Sequence, residues 1–454
     1  MAAALGWATL LAVPMAWADG LGAEGKAGGG KGDLAAAQAA DQRHDSAAAI
    51  PLYTSALASG TLSPDAQSAA LHARALDERD QRHFDRAIAD DTEAIKLKPD
   101  DEQAFVDRAT TYAYSANIDA AIDDLNTAIG LKPTDITALI DRGAIYAAQH
   151  DYGHALTDLN AAVEAQPDNL GAILNRAAAY HGAGDNDKAI ADLDTVIKQW
   201  PALAGAYYDR GNAWRDKNNL QRALADYSTA IRLKPDYADA YNNRGNAYQL
   251  AGQYPRALAD FAVAIRIAPN EPSAYYNRAK VYRDLGQYDD AIADYDSLLY
   301  LTPNFPGGYN GRAYANFAAG RFAATANDLK RSLSLDGKQQ YPILWLHLVR
   351  LRQRQIDSDE FAANLGAFDT HAWPQPVAAF LAHRLSGAEL LMATQLGDAR
   401  TRVNRVCDAN FFLGEDAIAV GQKTNARRYF QAARKACPIS SPSYTGTVAE
   451  LRRR

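Results

Sequence analysis

Residues 207–235 read YYDRGNAWRDKNNLQRALADYSTAIRLKP, and residues 241–269 repeat the pattern as YNNRGNAYQLAGQYPRALADFAVAIRIAP. The offset is 34 residues, and Pro99, Pro133, Pro167, Pro201, Pro235, Pro269 and Pro303 stand at the same interval. A fixed period of this length marks a stacked repeat rather than a set of independent domains. With proline taken as position 32, seven units run from Ser68 to Asn304. Position 8 is then always small (Ala75, Ala109, Gly143, Ala177, Gly211, Gly245, Ala279), and position 20 is always alanine (Ala87 through Ala291). Aromatic residues recur at position 11 as Tyr112, Tyr146, Tyr180, Trp214, Tyr248 and Tyr282, and at position 4 as Tyr207, Tyr241 and Tyr275.

These positions describe two antiparallel helices. Small residues at 8 and 20 let the pair approach closely, while aromatics at 4, 11 and 24 fill the space that opens between neighbouring units. Glycine, Asn or Asp around positions 15–18 turns the chain between the helices, and proline at 32 stops the second one because it has no N–H to donate. One hairpin leaves an apolar face open, so neighbours must stack to bury it. The expected fold is all-α.

The runs quoted above resemble tetratricopeptide repeats, and the resemblance covers about half of the chain. It implies a helical-hairpin superhelix. Weaker units flank the seven. Ala49, Ile50, Tyr53 and Ala56 repeat the second-helix pattern ahead of them, with a connection through Pro64 about four residues longer; the unit from Pro306 keeps Tyr309, Arg312 and Ala313 but has Thr325 at position 20 and Gly337 in place of proline. The solenoid is thus expected over 34–339, followed by a helical C-terminal region over 340–454.

Residues present in every unit read as scaffold, since a binding function needs only some units. Arginine at position 7 (Arg74 through Arg312) and aspartate at position 23 (Asp90 through Asp294) are of this kind and are expected to pair. The resemblance implies that positions 2, 5, 9, 12 and 13 of the first helix line an inner, concave surface. They are bland in early units (Val106, Thr110, Ala113; Ile140, Ala144, Ala147) and change in units five to seven to Tyr208, Asn212, Arg215, then Asn242, Asn246, Gln249, then Tyr276, Lys280, Arg283. Amides can hydrogen-bond a peptide backbone, tyrosine supplies rigid contact area and arginine fits carboxylates, so these nine are the candidate peptide-binding residues. The alternative is a solvated polar face. Position 5 is tyrosine or asparagine rather than lysine, and position 6 is Asp209, Asn243 and Asn277, which departs from the repeats that clamp an acidic C-terminus.

The last hairpin, over about 407–438, returns to the period with Pro438 at position 32, placing Gly414 at 8, Ala426 at 20 and Phe430 at 24. Cys407 and Cys437 then fall at positions 1 and 31, the start of one helix and the end of its partner, where a disulfide is geometrically reasonable. Two unrelated buried thiols are the alternative. Repeats followed by this region and an FFLGE…CP hairpin resemble the periplasmic tetratricopeptide adaptors of the NlpI type, which implies partners among envelope enzymes. This chain has more repeats than they do and no lipidation cysteine.

The 454 residues carry 47 basic and 54 acidic side chains, a net charge of −7, which argues against non-specific nucleic-acid binding. The charge is unevenly spread, with 15 basic against 10 acidic residues after 339. No other stretch matches the roughly 18–20 apolar residues of a membrane span. Residues 1–18, MAAALGWATLLAVPMAWA, read as a signal peptide without a basic n-region, and 19–33 as a Gly-rich linker, so a periplasmic or secreted location is expected. Gly25–Gly32 approaches a phosphate-loop pattern without the flanking strand. His150 and His154 straddle a turn, so they do not share a helix face for zinc. No catalytic, cofactor or metal site is expected. The reading is a non-catalytic scaffold for protein segments, with homodimerisation open; a polysaccharide binder using Tyr208 and Tyr276 is the alternative, and a hydrolase built on Asp357, Asp359 and Glu360 the remoter one.

Overall fold

The computed structural model describes residues 29–453 apart from Ile356 and 369–371; residues 1–28, and with them the signal segment, the start of the linker and the phosphate-loop pattern up to Gly28, lie outside that range. The described residues form 25 α-helices and one short 3-10 helix, without a strand. None of the helices is long and apolar enough to cross a membrane. The chain divides into two compact units at Asn219–Leu220.

The first unit is built from hairpins: α1 (Gly29–Asp41) with α2 (Ser46–Ala58), α3 (Pro64–Asp80) with α4 (Phe84–Leu97), α5 (Glu102–Tyr114) with α6 (Ile118–Leu131), α7 (Ile136–Ala148) with α8 (Tyr152–Ala165), and α9 (Leu170–Gly182) with α10 (Asn186–Gln199), then α11 (Ala204–Asp216). From α5 on, first helices occupy positions 1–13 and second helices 17–30, as the period requires. The expected linker is shorter than read, because 29–33 already belong to α1. Gly30 is buried there, close to the hydroxyls of Ser59 and Thr61, so that glycine serves packing. The four extra residues at Pro64 become one more turn of α3, capped by Ser63 with proline in the first turn.

Second helices start on side-chain caps: Asn117, Asp151 and Asp185 each accept from a backbone N–H three residues on. Position 15 of every turn that the backbone defines is left-handed, and it is not reserved for glycine. Gly184, Gly252, Gly286 and Gly320 share it with Arg82, Ala116, His150 and Asn218. Alanines at positions 8 and 20 are fully buried, as Ala177 and Ala189 show.

The second unit holds α12 (Leu220–Leu233), α13 (Ala238–Leu250) with α14 (Tyr254–Ile267), α15 (Pro272–Leu285) with α16 (Tyr288–Leu301), and α17 (Pro306–Ala318) with α18 (Phe322–Leu335). Then come α19 (Gln340–Arg352), three short helices α20 (Ser358–Asn364), α21 (Gln375–Leu381) and α22 (Gly387–Ala393), and finally α23 (Ala399–Ala419), α24 (Lys423–Ala436) and α25 (Pro442–Arg452). The period outlasts its side-chain signature by one helix: α19 spans positions 1–13 of a further unit although His347 stands where a small residue is usual. The C-terminal region shares a core with the last repeat. Trp345 is fully buried, 4.9 Å from Phe411 in a stacked pair and 4.9 Å from Phe317 edge-on. Gly446 of α25 lies against both Phe411 and Trp345, where a Cβ would stand 2.5 Å from the phenylalanine ring. Cys407 and Cys437 are disulfide-bonded with Cα atoms 4.6 Å apart, as their register allows.

Candidate functional site

The two scaffold residues pair as a fork in seven repeats. Within the second unit, Arg244 Nε and Nη2 donate to Asp260 at 2.7 and 2.8 Å, Arg278 does the same with Asp294, and Arg312 with Asp328. In the first unit Arg74, Arg108, Arg142 and Arg176 hold Asp90, Asp124, Asp158 and Asp192 in the same way. The third nitrogen reaches backwards to position 25 of the preceding second helix: Arg108 to Thr92, Arg142 to Asn126, Arg244 to Ser228, Arg312 to Asp296. The sequence signal of this link between repeats is the recurrent acceptor at position 25, as in Thr92, Asn126, Ser228 and Asp296. Arg278 makes no such bond among the described residues, because position 25 there is Ala262. The fork holds each hairpin together and tethers it to its neighbour, leaving inner-face positions to vary.

In the first unit, Tyr208 and Asn212 are half-buried on α11. Arg215 donates from Nε to Asp216 at 3.0 Å, and Asp216 also meets His181 Nε2 at 2.9 Å. Arg215 is therefore oriented by a neighbouring carboxylate, and His181 is tied to the same group. Farther along this unit the inner face is less bland than its sequence suggests. His72 bridges Asp91, 3.1 Å from Nδ1, and Asp107, 3.3 Å from Nε2, while Arg79 meets the other Asp107 oxygen at 3.3 Å. Burial alone would pull the imidazole down, but hydrogen bonds and charge from Asp107 and Asp91 outweigh it and push His72 up to about 10.

In the second unit, α13 and α15 bring the remaining candidates side by side. Asn242 Oδ1 accepts from Asn277 at 3.1 Å, Gln249 hydrogen-bonds Asp284, and Asn246 makes no hydrogen bond to another described residue. The Lys280 ammonium lies 5.5 Å over the Tyr276 ring, and burial together with the Arg283 charge draws its pKa down. The Tyr276 ring is already flanked edge-on by Tyr295 and Phe305, which leaves it poorly placed as a sugar-stacking platform.

Arg283 differs from its expected role. It is only 7% exposed, and its Nη2 donates to Asp284 at 3.1 Å and to the backbone carbonyl of Ser440 at 2.9 Å. The chain's own C-terminal segment has taken the place of a ligand. The same segment continues over the last repeat: α25 packs on α17, and Arg453 donates to the carbonyls of Phe317 and Ala318 at the end of that helix. The inner face is thus open along α13 and the first half of α15, and covered beyond. No motif near 440 announces this, since the contact is made through a backbone carbonyl.

The acidic cluster of the C-terminal region is likewise engaged. Asp357 meets His347 Nδ1 at 2.9 Å and Arg350 at 3.3 Å, Glu360 meets Arg350 at 2.8 Å, and the His347 ring stacks 3.9 Å from Phe361. Among the described residues, no hydroxyl or thiol is bonded to His347. His154 is bound to Asp151 and His150 to Tyr152, each within its own turn.

Models of tetratricopeptide repeats match residues 140–204, 211–252, 238–271 and 272–305. The chain is a tetratricopeptide repeat protein. No curated protein matches it. Among solved structures, a tetratricopeptide repeat protein from Parabacteroides merdae is similar at 20% identity, covering 55% of this chain and 96% of its own, with a TM-score of 0.46. A thermophilic tetratricopeptide repeat protein of Thermus thermophilus has 25% identity over 40% of this chain and 98% of its own (TM-score 0.35). YrrB, described as having an unusual peptide-binding site, has 21% identity over 40% of this chain and 95% of its own (TM-score 0.35). Stacked hairpins of this family act as scaffolds for protein interaction.

Proposed function

We propose that this tetratricopeptide repeat protein is a non-catalytic, exported scaffold that holds an extended protein segment along the first helices of its repeats. The observation that carries the reading is the change in the inner face at α13 and α15. There Asn242, Asn246, Gln249, Tyr276 and Lys280 sit half-buried on rigid, adjacent helices, with the Asn246 side chain unbonded among the described residues and Lys280 partly desolvated. Amides spaced one per helix turn suit the alternating donors and acceptors of a peptide backbone, and a desolvated ammonium interacts strongly with a carbonyl or carboxylate that arrives. What supports an exported location is the apolar N-terminal sequence with its small-x-small end, together with the disulfide, a bond that persists in oxidising compartments. The partners proposed are envelope enzymes or peptide segments.

Combining Asn242→Ala, Asn246→Ala and Lys280→Glu tests the reading by crosslinking pull-down from the cell envelope with mass spectrometry. Partner recovery is expected to fall at least tenfold while thermal melting stays unchanged. Undiminished recovery would move the binding surface elsewhere, and retention on peptidoglycan without any protein partner would favour a polysaccharide binder.

A further inference from the structure

The final hairpin has given up the scaffold pair of the repeats. At positions 7 and 23 it carries Leu413 and Tyr429 rather than arginine and aspartate. Its second helix nevertheless holds five basic residues, Lys423, Arg427, Arg428, Arg434 and Lys435, and no acidic one. The second helices α4, α6, α8, α10, α12, α14, α16 and α18 carry net charges between −4 and +1. All five cations of α24 are exposed, and none forms an ion pair with a described residue; Arg428 only lies over the Tyr429 ring, 5.4 Å from its centre. Some exposed cations elsewhere have found carboxylates, as Lys132 with Glu102 and Lys188 with Asp185. A helix face concentrating five like charges is repulsive within itself, and an opposite charge from outside relieves that repulsion.

The chemistry of the face narrows the partner. Its apolar side, Ala426, Phe430 and Ala433, is buried, so α24 has no hydrophobic face left to enter a bilayer. No exposed aromatic ring stands among the cations to stack on a base. Three of the five are arginines, whose planar fork matches carboxylates two bonds at a time. Where α24 ends, Arg400, Val403, Asn404, Pro438, Ser440 and Ser441 line a shallow groove, with Val403 and Ile439 both 46% exposed.

We propose that the solvent face of α24 and this groove bind a carboxylate-rich segment of another protein, with an apolar residue of that segment seated against Val403. The surface shares no residue with the peptide-binding candidates of α13 and α15, although Ser440 of the groove bonds Arg283 of α15.

Fluorescence anisotropy of labelled poly-L-glutamate titrated with the full oxidised chain tests this. Arg427→Glu with Arg434→Glu is expected to weaken binding at least tenfold, with circular dichroism and disulfide content unchanged, and binding should fall steeply between 50 and 200 mM salt. The control reversal of Lys330→Glu with Lys338→Glu, outside this face, should leave binding within twofold. Equal loss in the control, or retained binding in the α24 variant, overturns the proposal. So does tighter binding of phosphatidylglycerol vesicles or single-stranded DNA than of poly-L-glutamate.

Discussion

Arg244 makes three bonds where two helices and a neighbouring repeat must be held together, and Asp260, only 6% exposed, depends on two of them. Removing the guanidinium would leave a buried carboxylate unpaired. Arg244→Ala is expected to cost about 3 kcal/mol, and Arg244→Lys somewhat less, because the ammonium keeps the charge but not the fork; urea unfolding would measure both. His72 is a second residue whose charge supports the fold. Its folded pKa, about 10, lies above the 6.5 of an ordinary imidazole, so its contribution is complete below pH 6.5 and is lost as pH rises towards 10. In His72→Gln the difference from wild type should therefore be largest near pH 6 and shrink through pH 10, as read from melting curves. The Arg–Asp pairing was legible from repetition alone. The His72 bridge was not, because it joins position 5 of one repeat to position 6 of the next in a single place.

At the scale of the element, the turn between helices sets a local cost that sequence composition disguises. Ala116 takes φ 61° at position 15, where Gly184 and Gly252 take φ 82° and 72°. Glycine is free of the Cβ clash that this region imposes, so Ala116→Gly should stabilise the fold by about 1 kcal/mol. Gly245 works in the opposite sense. A Cβ there would meet the Phe261 ring at 2.7 Å, so Gly245→Ala should destabilise by about 1–2 kcal/mol despite its better helix propensity. Denaturant midpoints of the two variants should thus move in opposite directions. Helix boundaries followed from the period because proline, the caps and the small residues are all local signals. The persistence of that period into α19 did not, since its marker positions 7, 8 and 11 hold Leu346, His347 and Arg350 in place of arginine, a small residue and an aromatic.

For the whole molecule, the disulfide closes a loop over the terminal hairpin. Replacing both Cys407 and Cys437 by serine should lower stability by about 3–4 kcal/mol on the chain-entropy model, and a reductant should do the same to wild type while leaving the variant unchanged in chemical unfolding. The residues from α17 to α25 form one core, so this loss is expected to reach Arg283 and Ser440 and to expose more of the inner face. Spacing that repeats or closes over a short range is enough to read the hairpins, their register and the scaffold pairs, and it brings the two cysteines to positions where a bond is reasonable. That Arg283 is occupied by the chain's own Ser440, that α25 covers α17, and that the cations of α24 find no carboxylate among the described residues emerge in three dimensions alone. Those outcomes join residues more than a hundred positions apart, or depend on what fails to reach a surface, and neither leaves a period to read.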